Sequence, residues 1–334
     1  LLESIHLVKS FGDVTAVRGV SLVIKPGEVV GLIGASGSGK STMLNLMAGL
    51  LDATEGAVQL NNERIKGPSE QLVPGHPHIK LVHQEYQLMP HVSVRENIAY
   101  ALRFYEKRYQ NFRVEQLINL CRLEAVQHRL PRQVSGGEKQ RTAIARAIAE
   151  KPAALLLDEP FSHLDLPNRE LIRSMLLDLV RNEKTACLFV THDSTDALSI
   201  SHRIGILQDG QLIQMGAPMD VYRRPYNAYA AQMTGPANLI RAKHLPLMGI
   251  IHAYQPNALA CVRPENIRLS DRGRFGGTVR NVFFKGAYLE VEVEMNRFVN
   301  LTFVAASHEK IKVGQLVGLE MSPESVHWMR GSSV

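Results

Sequence analysis

The chain has 334 residues, 45% hydrophobic and 21% charged, which is enough apolar material for two domains with their own cores and an unremarkable charge content that argues against disorder. A formal net charge of +6 suits a phosphate ligand, a membrane surface or nucleic acid without choosing among them. Cys121, Cys187 and Cys261 lie far apart, which argues against a disulfide framework or a zinc site, and no apolar run approaches the length needed to span a bilayer.

In chain order, residues 20–33 read as two strand-like runs broken by the turn Lys25-Pro26-Gly27-Glu28. The second run, Val29 to Ile33, is apolar throughout, as in a strand buried on both faces. It leads into Gly34-Ala35-Ser36-Gly37-Ser38-Gly39-Lys40-Ser41, then Thr42 and the helical spacing of Met43, Leu44, Leu46 and Met47. This is the Walker A pattern in its proper strand–loop–helix setting, which a chance glycine-rich turn would lack. Small residues let successive backbone N–H groups turn inward around phosphates, and the helix N-terminus adds its dipole. Lys40 is expected to reach the β- and γ-phosphates of ATP, and the Ser41 hydroxyl to ligate Mg²⁺.

His76, His78, His83 and His91 raise the question of a metal site. They sit in and around a Pro- and Gly-rich loop, with no carboxylate or cysteine at ligand spacing, so a solvated loop is expected. From Ser93 to about Ile148 the pattern is helical, opened by the capping box Ser93-Val94-Arg95-Glu96. Within it, the segment from Arg103 to Arg113 is rich in Lys, Arg and Tyr. It reads as an exposed helical face meeting solvent or a partner, rather than nucleic acid. Further on, Ser135 is a good N-cap, while Gly136 and Gly137 leave first-turn N–H groups open to an anion. Two glycines there cost helix stability, which capping alone does not explain.

Ala153 to Leu157 reads as a buried strand ending in Asp158-Glu159, the look of Walker B. Asp158 would hold Mg²⁺ beside Ser41, and Glu159 would orient and deprotonate the attacking water. A helix through Leu171, Ile172, Met175, Leu176 and Leu179, then strands at Ala186 to Val190 and Ile204 to Leu207, complete an alternation that means a mostly parallel sheet. After about Gly235 come short strands, Thr278 to Phe284, Leu289 to Val293, Phe298 to Val304 and Leu316 to Met321, the texture of a small all-β barrel. The boundary is expected at Thr234-Gly235-Pro236, giving domains 1–235 and 236–334, with a helical subdomain over about 93–148.

Together with the Walker pair, Val134-Ser135-Gly136-Gly137-Glu138-Lys139-Gln140-Arg141 resembles the signature motif of the ATP-binding cassette (ABC) ATPases, whose commonest form is LSGGQ. Other positions resemble the same family. Gln84 matches the Q-loop, which implies sensing of Mg²⁺ and water and contact with a membrane subunit. Ser162-His163-Leu164-Asp165 looks like the D-loop, and His192 like the switch histidine at the γ-phosphate. Phe11 stands where the family has an aromatic that stacks on adenine. Val262-Arg263-Pro264-Glu265-Asn266-Ile267-Arg268 resembles the opening of the TOBE region of importer ATPases, an OB-like barrel. The resemblance thus covers both domains. It implies an α/β P-loop cassette plus a TOBE domain, ATP and Mg²⁺ as ligands, and a head-to-tail homodimer. In that dimer Ser135, Gly136, Gly137 and Asp165 of one copy would face the nucleotide of the other. It further implies two integral-membrane permease subunits, an extracytoplasmic solute-binding protein, a peripheral position on the cytoplasmic face of the membrane, and no role for nucleic acid.

Departures from the pattern are Val134 and Glu138 in the signature and His163 in the D-loop; Glu138 would sit near an anion unless its carboxylate folds back onto the Ser135 N–H. Gly235-Pro236-Ala237-Asn238-Leu239-Ile240 resembles the hinge of polyamine and ferric-iron types, with sulfate, thiamine and phosphonate uptake left open. The competing class is a soluble ABC ATPase of DNA repair or translation, for which a long inserted coiled coil or a second cassette would be expected.

Overall fold

A computed structural model describes residues 1–251 and 256–330. Two compact units divide the chain, Leu1–Pro218 and Met219–Val334.

The first unit opens with β1 (Leu2–Phe11) and β2 (Val14–Ile24), then β3 (Val29–Ile33), α1 (Lys40–Met47), β4 (Glu55–Leu60), β5 (Glu63–Arg64) and β6 (Ile79–Val82). It continues through α2 (Val94–Ala101), α3 (Lys107–Leu120), α4 (Gly136–Ile148), β7 (Ala154–Asp158), α5 (Leu166–Glu183), β8 (Ala186–Thr191), α6 (Ser194–Ile200), β9 (Arg203–Gln208) and β10 (Gln211–Gly216). Six strands form the central sheet in the order β10-β9-β3-β8-β7-β6, all parallel except the β9–β10 hairpin. Every residue of β3 and β8 is buried, so their unbroken apolar runs mark strands covered on both faces. The order places the ends of β3, β7 and β8, the strands feeding the Walker loop, the two carboxylates and His192, next to one another.

A second sheet, β2-β1-β4-β5, is antiparallel and packs into the same core through Leu2, Leu7, Val20, Leu22, Val58 and Leu60. The strand-like run expected from residue 20 is only the end of β2, and β1 was not anticipated at all. Register shifts between Ser4 and Leu7 and around Val8 and Ser10, with His6 at φ 46°, break the period-two alternation that would have marked it.

The helical stretch expected over residues 93–148 is divided into α2, α3 and α4. Both bonds of the Ser93 capping box are present: the Glu96 N–H donates to Ser93 Oγ at 3.2 Å and the Ser93 N–H to Glu96 Oε2 at 2.7 Å. Arg113, read from its basic neighbourhood as part of an exposed face, is only 2% exposed. Its guanidinium donates to Glu183 Oε1 at 2.6 Å and to the carbonyls of Ile148 and Ala149, tying α3 to the ends of α4 and α5. A charged side chain can be this buried because every end of its fork finds an acceptor.

The second unit carries α7 (Pro218–Arg223), α8 (Ala228–Met233), β11 (Asn238–Arg241), β12 (Leu259–Val262), β13 (Ile267–Leu269), β14 (Phe275–Phe284), β15 (Tyr288–Asn296), β16 (Val299–Ala306), β17 (Leu316–Met321) and β18 (His327–Trp328). Five strands run antiparallel in the order β13-β17-β14-β15-β16, and the outer strands β13 and β16 approach each other, so the sheet curls into a barrel-like wrap. Its core includes Val291, Val293, Leu301, Phe303 and Leu319. A smaller sheet, β11-β12-β18, stands beside it.

Arg263 explains why the stretch from Met219 belongs with the second unit, ahead of the boundary expected at Gly235. The side chain is 2% exposed and stacks on the Tyr222 ring at 3.9 Å. It donates to the carbonyls of Tyr222, Ala231, Gly235 and Pro236 and to Thr234 Oγ1, at 2.7–3.1 Å. Ala231 packs with Cys261 and Met329 in a further apolar cluster. Asn238 adds a two-way clip, its amide donating to the Thr302 carbonyl and accepting from the Thr302 N–H, both at 2.7 Å.

Candidate nucleotide site

The Walker loop leaves β3 and turns into α1, with Gly39 at φ 100° as the last residue before the helix. A side chain there would be doubly excluded: the φ is left-handed, and a Cβ would lie 2.3 Å from the Ala16 carbonyl oxygen. Lys40 is nearly buried, and its ammonium donates to the carbonyls of Gly34 at 2.7 Å and Ala35 at 2.9 Å. The lysine is thereby folded over the loop whose amides would meet a phosphate.

Ser36, Gly37, Gly39, Lys40, Ser41 and Thr42 share one cavity of about 390 Å³ with Gln84, Asp158, Glu159 and His192. Ser41 Oγ donates to Asp158 Oδ1 at 3.3 Å, bringing the two expected Mg²⁺ ligands together. Burial pushes the Asp158 carboxyl above its ordinary range; the Ser41 hydrogen bond opposes this, and the Glu159 charge adds to it. Burial likewise pushes the Lys40 ammonium below its ordinary value, against the attraction of Glu159 and Asp158. Each charge is therefore held less favourably than in water. A polyphosphate at Lys40 and a hard cation at the Ser41 and Asp158 oxygens would correct both, so the donor set fits Mg²⁺–ATP.

Glu159 follows β7 with a left-handed φ of 49° and its N–H bound to the Val190 carbonyl at 3.1 Å. A non-glycine residue in that region is strained, and the strain aims the side chain into the cavity rather than along the strand. Ser162 Oγ donates to Glu159 Oε2 at 3.0 Å, and His192 Nδ1 lies 2.9 Å from Oε1. A carboxylate only accepts, so Nδ1 carries the proton in this arrangement. The carboxylate is thus oriented by a hydroxyl on one side and an imidazole on the other.

Other expected residues lie elsewhere. Gly34, Ala35 and Ser38 build the loop without lining the cavity. Phe11 ends β1, is half exposed, and has the Lys9 ammonium 5.0 Å from its ring centroid; it does not line the cavity either. Ser135, Gly136, Gly137 and Asp165 are likewise outside it. Ser135 caps α4 reciprocally with Glu138: the Glu138 N–H donates to Ser135 Oγ at 3.3 Å and the Ser135 N–H to Glu138 Oε2 at 2.7 Å. The Glu138 carboxylate has folded back onto the cap, as its departure from the common signature required. Asp165 caps α5 through the Asn168 N–H at 3.3 Å. Ala16, which sequence reasoning did not single out, lines the cavity and offers its carbonyl to the close approach of Gly39; a backbone contribution of this kind leaves no residue-type signal. His76 and His78 have ring centroids 5.7 Å apart, and no group of three or more His, Cys, Asp or Glu able to hold a metal occurs among the described residues. No helix among the described residues is long and apolar enough to cross a membrane.

Comparison with known proteins agrees with this geometry. Residues 17–162 match the family model for ABC transporters, and residues 260–329 match the TOBE domain. A bacterial ABC transporter cassette, MJ0796, in a dimeric post-hydrolysis state bound to ADP and Pi, is 31% identical. The match covers 65% of this chain and 99% of that one, with a TM-score of 0.59. CbiO1 from Clostridium perfringens, part of the ABC transporter complex cbiONQ, is 25% identical over 66% of this chain and 90% of its own, with a TM-score of 0.60. The cassette MJ1267 in its ADP conformation is 25% identical over 70% and 97%, with a TM-score of 0.59. Strand order, the phosphate loop, the paired carboxylates and these likenesses agree, and the chain belongs to the ABC transporter ATPases, as an ATP-binding cassette followed by a TOBE domain.

Proposed function

We propose that the chain is the ATP-hydrolysing subunit of an ABC import system and works as a head-to-tail homodimer. The observation that carries this is the incompleteness of the cavity. Walker loop, carboxylates and His192 line it, whereas Ser135 to Gly137, where the Gly136 and Gly137 N–H groups suit an anion, do not. A second copy related by a two-fold axis would supply them, making two sites at one isologous interface.

In this reading Lys40 turns from the Gly34 and Ala35 carbonyls to the β- and γ-phosphates, exchanging two neutral acceptors for charged ones. Glu159, held by Ser162 and His192, accepts the proton of the attacking water, while His192 is close enough to the same point to answer to the γ-phosphate. Mg²⁺, held by Ser41 and Asp158 with Gln84 at the same cavity, would neutralise phosphate charge. Phe11 is proposed to stack on adenine from its exposed position at the end of β1.

Closure around ATP and opening after hydrolysis would drive two integral-membrane permease subunits from the cytoplasmic face, fed by an extracytoplasmic solute-binding protein. The cbiO1 likeness supports a transporter setting, and the TOBE domain supports import over the soluble ABC class. The Gly235 to Ile240 segment favours a polyamine or ferric-iron type of cargo through its resemblance to those hinges.

The test uses Glu159→Gln, which keeps the side-chain shape but removes the base. This variant should accumulate as an ATP-dependent dimer in size-exclusion chromatography. Adding Ser135→Arg should abolish that dimer while monomeric ATP binding through Lys40 persists. A Glu159→Gln chain that stays monomeric at saturating ATP, alone and with its membrane partners, would refute the composite site.

A further inference from the structure

The two signature glycines face different surroundings. A Cβ on Gly136 would meet nothing nearer than the Tyr86 hydroxyl at 3.6 Å. A Cβ on Gly137 would fall 2.7 Å from Asn168 Cγ, 2.8 Å from its Oδ1 and 3.1 Å from its Cβ. Gly137 therefore has no side chain because a residue of α5 already lies against it.

Asn168 belongs to none of the recognised motifs, yet both ends of its amide are engaged. Its Oδ1 accepts from Arg141 Nη1 at 3.2 Å, and its Nδ2 donates to Asp165 Oδ1 at 2.5 Å. The same Asp165 oxygen accepts the Asn168 backbone N–H, closing the cap of α5. Arg141 is 7% exposed, burial holds its pKa below the ordinary arginine value, and its Nε has no partner among the described residues. The Asn168 amide connects this buried cation to the Asp165 carboxylate. Only a side chain with an acceptor at one end and a donor at the other can do so: aspartate would set two carboxylates against each other, and alanine would break the link at both ends.

We infer that Asn168 is a positioning residue that locks the Asp165 turn to the signature helix, so that the two move as one block. This inference rests on the composite-site reading, in which both segments face the partner's nucleotide. In that setting a phosphate drawn onto Ser135 and Gly136 also seats Asp165, and each copy presents its two contacts to the partner together. The relay Arg141–Asn168–Asp165 is then the physical link between anion recognition and the D-loop.

The experiment compares Asn168→Ala and Asn168→Asp in the full chain by amide hydrogen exchange without nucleotide, steady-state ATPase kinetics and thermal melting. Asn168→Ala, which breaks the link at both ends, should lose protection across residues 136–141 and 165–169 by about 10-fold, whereas Asn168→Asp, which keeps an acceptor for Arg141, should lose it only across 165–169. Turnover should fall by about 10-fold with KM within about twofold, as expected when a contact made only in the closed state is lost. The melting temperature should stay within a few degrees of the parent, which separates positioning from misfolding. The double variant Asn168→Asp with Asp165→Asn restores a donor opposite an acceptor, and should recover the exchange protection of residues 165–169. Unchanged exchange over 136–141 in Asn168→Ala, or over 165–169 in Asn168→Asp, which keeps side-chain size, would overturn the proposal, and so would wild-type turnover in Asn168→Ala. Failure of the composite site itself would appear separately, as a monomeric Glu159→Gln chain; the exchange measurement decides the relay in either case.

Discussion

Replacing Arg263 by methionine removes a buried guanidinium whose donors satisfy four carbonyls and one hydroxyl, while keeping an apolar stem of similar reach. The single Thr234 hydroxyl proton is shared between the Ala230 carbonyl at 2.8 Å and the Ala231 carbonyl at 3.1 Å, so the carbonyls that lose their donors outright are those of Tyr222, Gly235 and Pro236. Each stranded buried acceptor costs about 1–3 kcal/mol. The neighbouring cavity, which Arg263 lines, lets water recover part of that, so a net loss of about 3 kcal/mol is expected. For a unit of this length that corresponds to a melting-temperature drop of about 10 °C. The chain has one tryptophan, Trp328 in β18, inside the second unit, so its fluorescence during heating reports that unit in the intact protein. Arg263→Lys, which keeps the charge but not the planar fork, should fall between the two. A methionine variant whose Trp328 transition lies within 2 °C of the parent, a margin well below the effect derived from the stranded carbonyls, would refute the argument.

Asp158→Asn should abolish turnover yet raise the melting temperature of the nucleotide-free chain at neutral pH by a few degrees. The folded-state pKa of Asp158 lies above its unfolded value, so the native state binds the extra proton; stability is fullest below the unfolded pKa and declines as pH rises through the folded one. The same carboxyl predicts that the gap between parent and variant closes on acidification, which melts recorded from pH 7 downward would check. Arg113→Ala should destabilise the first unit by about 3–5 kcal/mol, because Glu183 is left buried without its partner; urea unfolding with an unchanged m-value is the measurement, and a loss below 1 kcal/mol would contradict it. A chain ending at Pro218 should bind ATP with near-parental affinity in equilibrium dialysis, whereas one ending at Gly235 should be prone to aggregation, because the Tyr222 and Ala231 carbonyls of α7 and α8 would lose their Arg263 donors and Ala231 its Cys261–Met329 cluster.

What the sequence revealed follows how local each feature is. Strands β3, β7 and β8 carry contiguous apolar runs, and the residues that do chemistry sit at their ends, so both were legible together. The reciprocal caps at Ser93 and Ser135 needed four consecutive residues each, and were legible for the same reason. Strand β1 was hidden by its bulges, and Arg113 by a composition that reads as surface until Glu183, 70 positions away, is brought to it. Gly235-Pro236 punctuates the chain strongly enough to suggest a boundary, but the packing of Ala231 and the reach of Arg263 place the division of contacts earlier. Asn168 was missed because it lies just outside the D-loop pattern that ends at Asp165, and its second partner, Arg141, comes from another helix 27 positions away.

The clip between Asn238 and Thr302 bears on where the chain tolerates changes in length. Asn238 is fixed against β16 by two bonds that mimic a ladder pair, and Gly235 and Pro236 are held by Arg263 only two residues upstream. A residue inserted between Pro236 and Asn238 cannot be absorbed as slack, since both flanks are tethered to the same body. An insertion or a fused tag near Gly216 and Ala217 meets no such double tether, because the Arg263 contacts begin at Tyr222. The segment that looks most like a linker in composition is thus the one least free to change its length, and spacer engineering belongs several residues earlier.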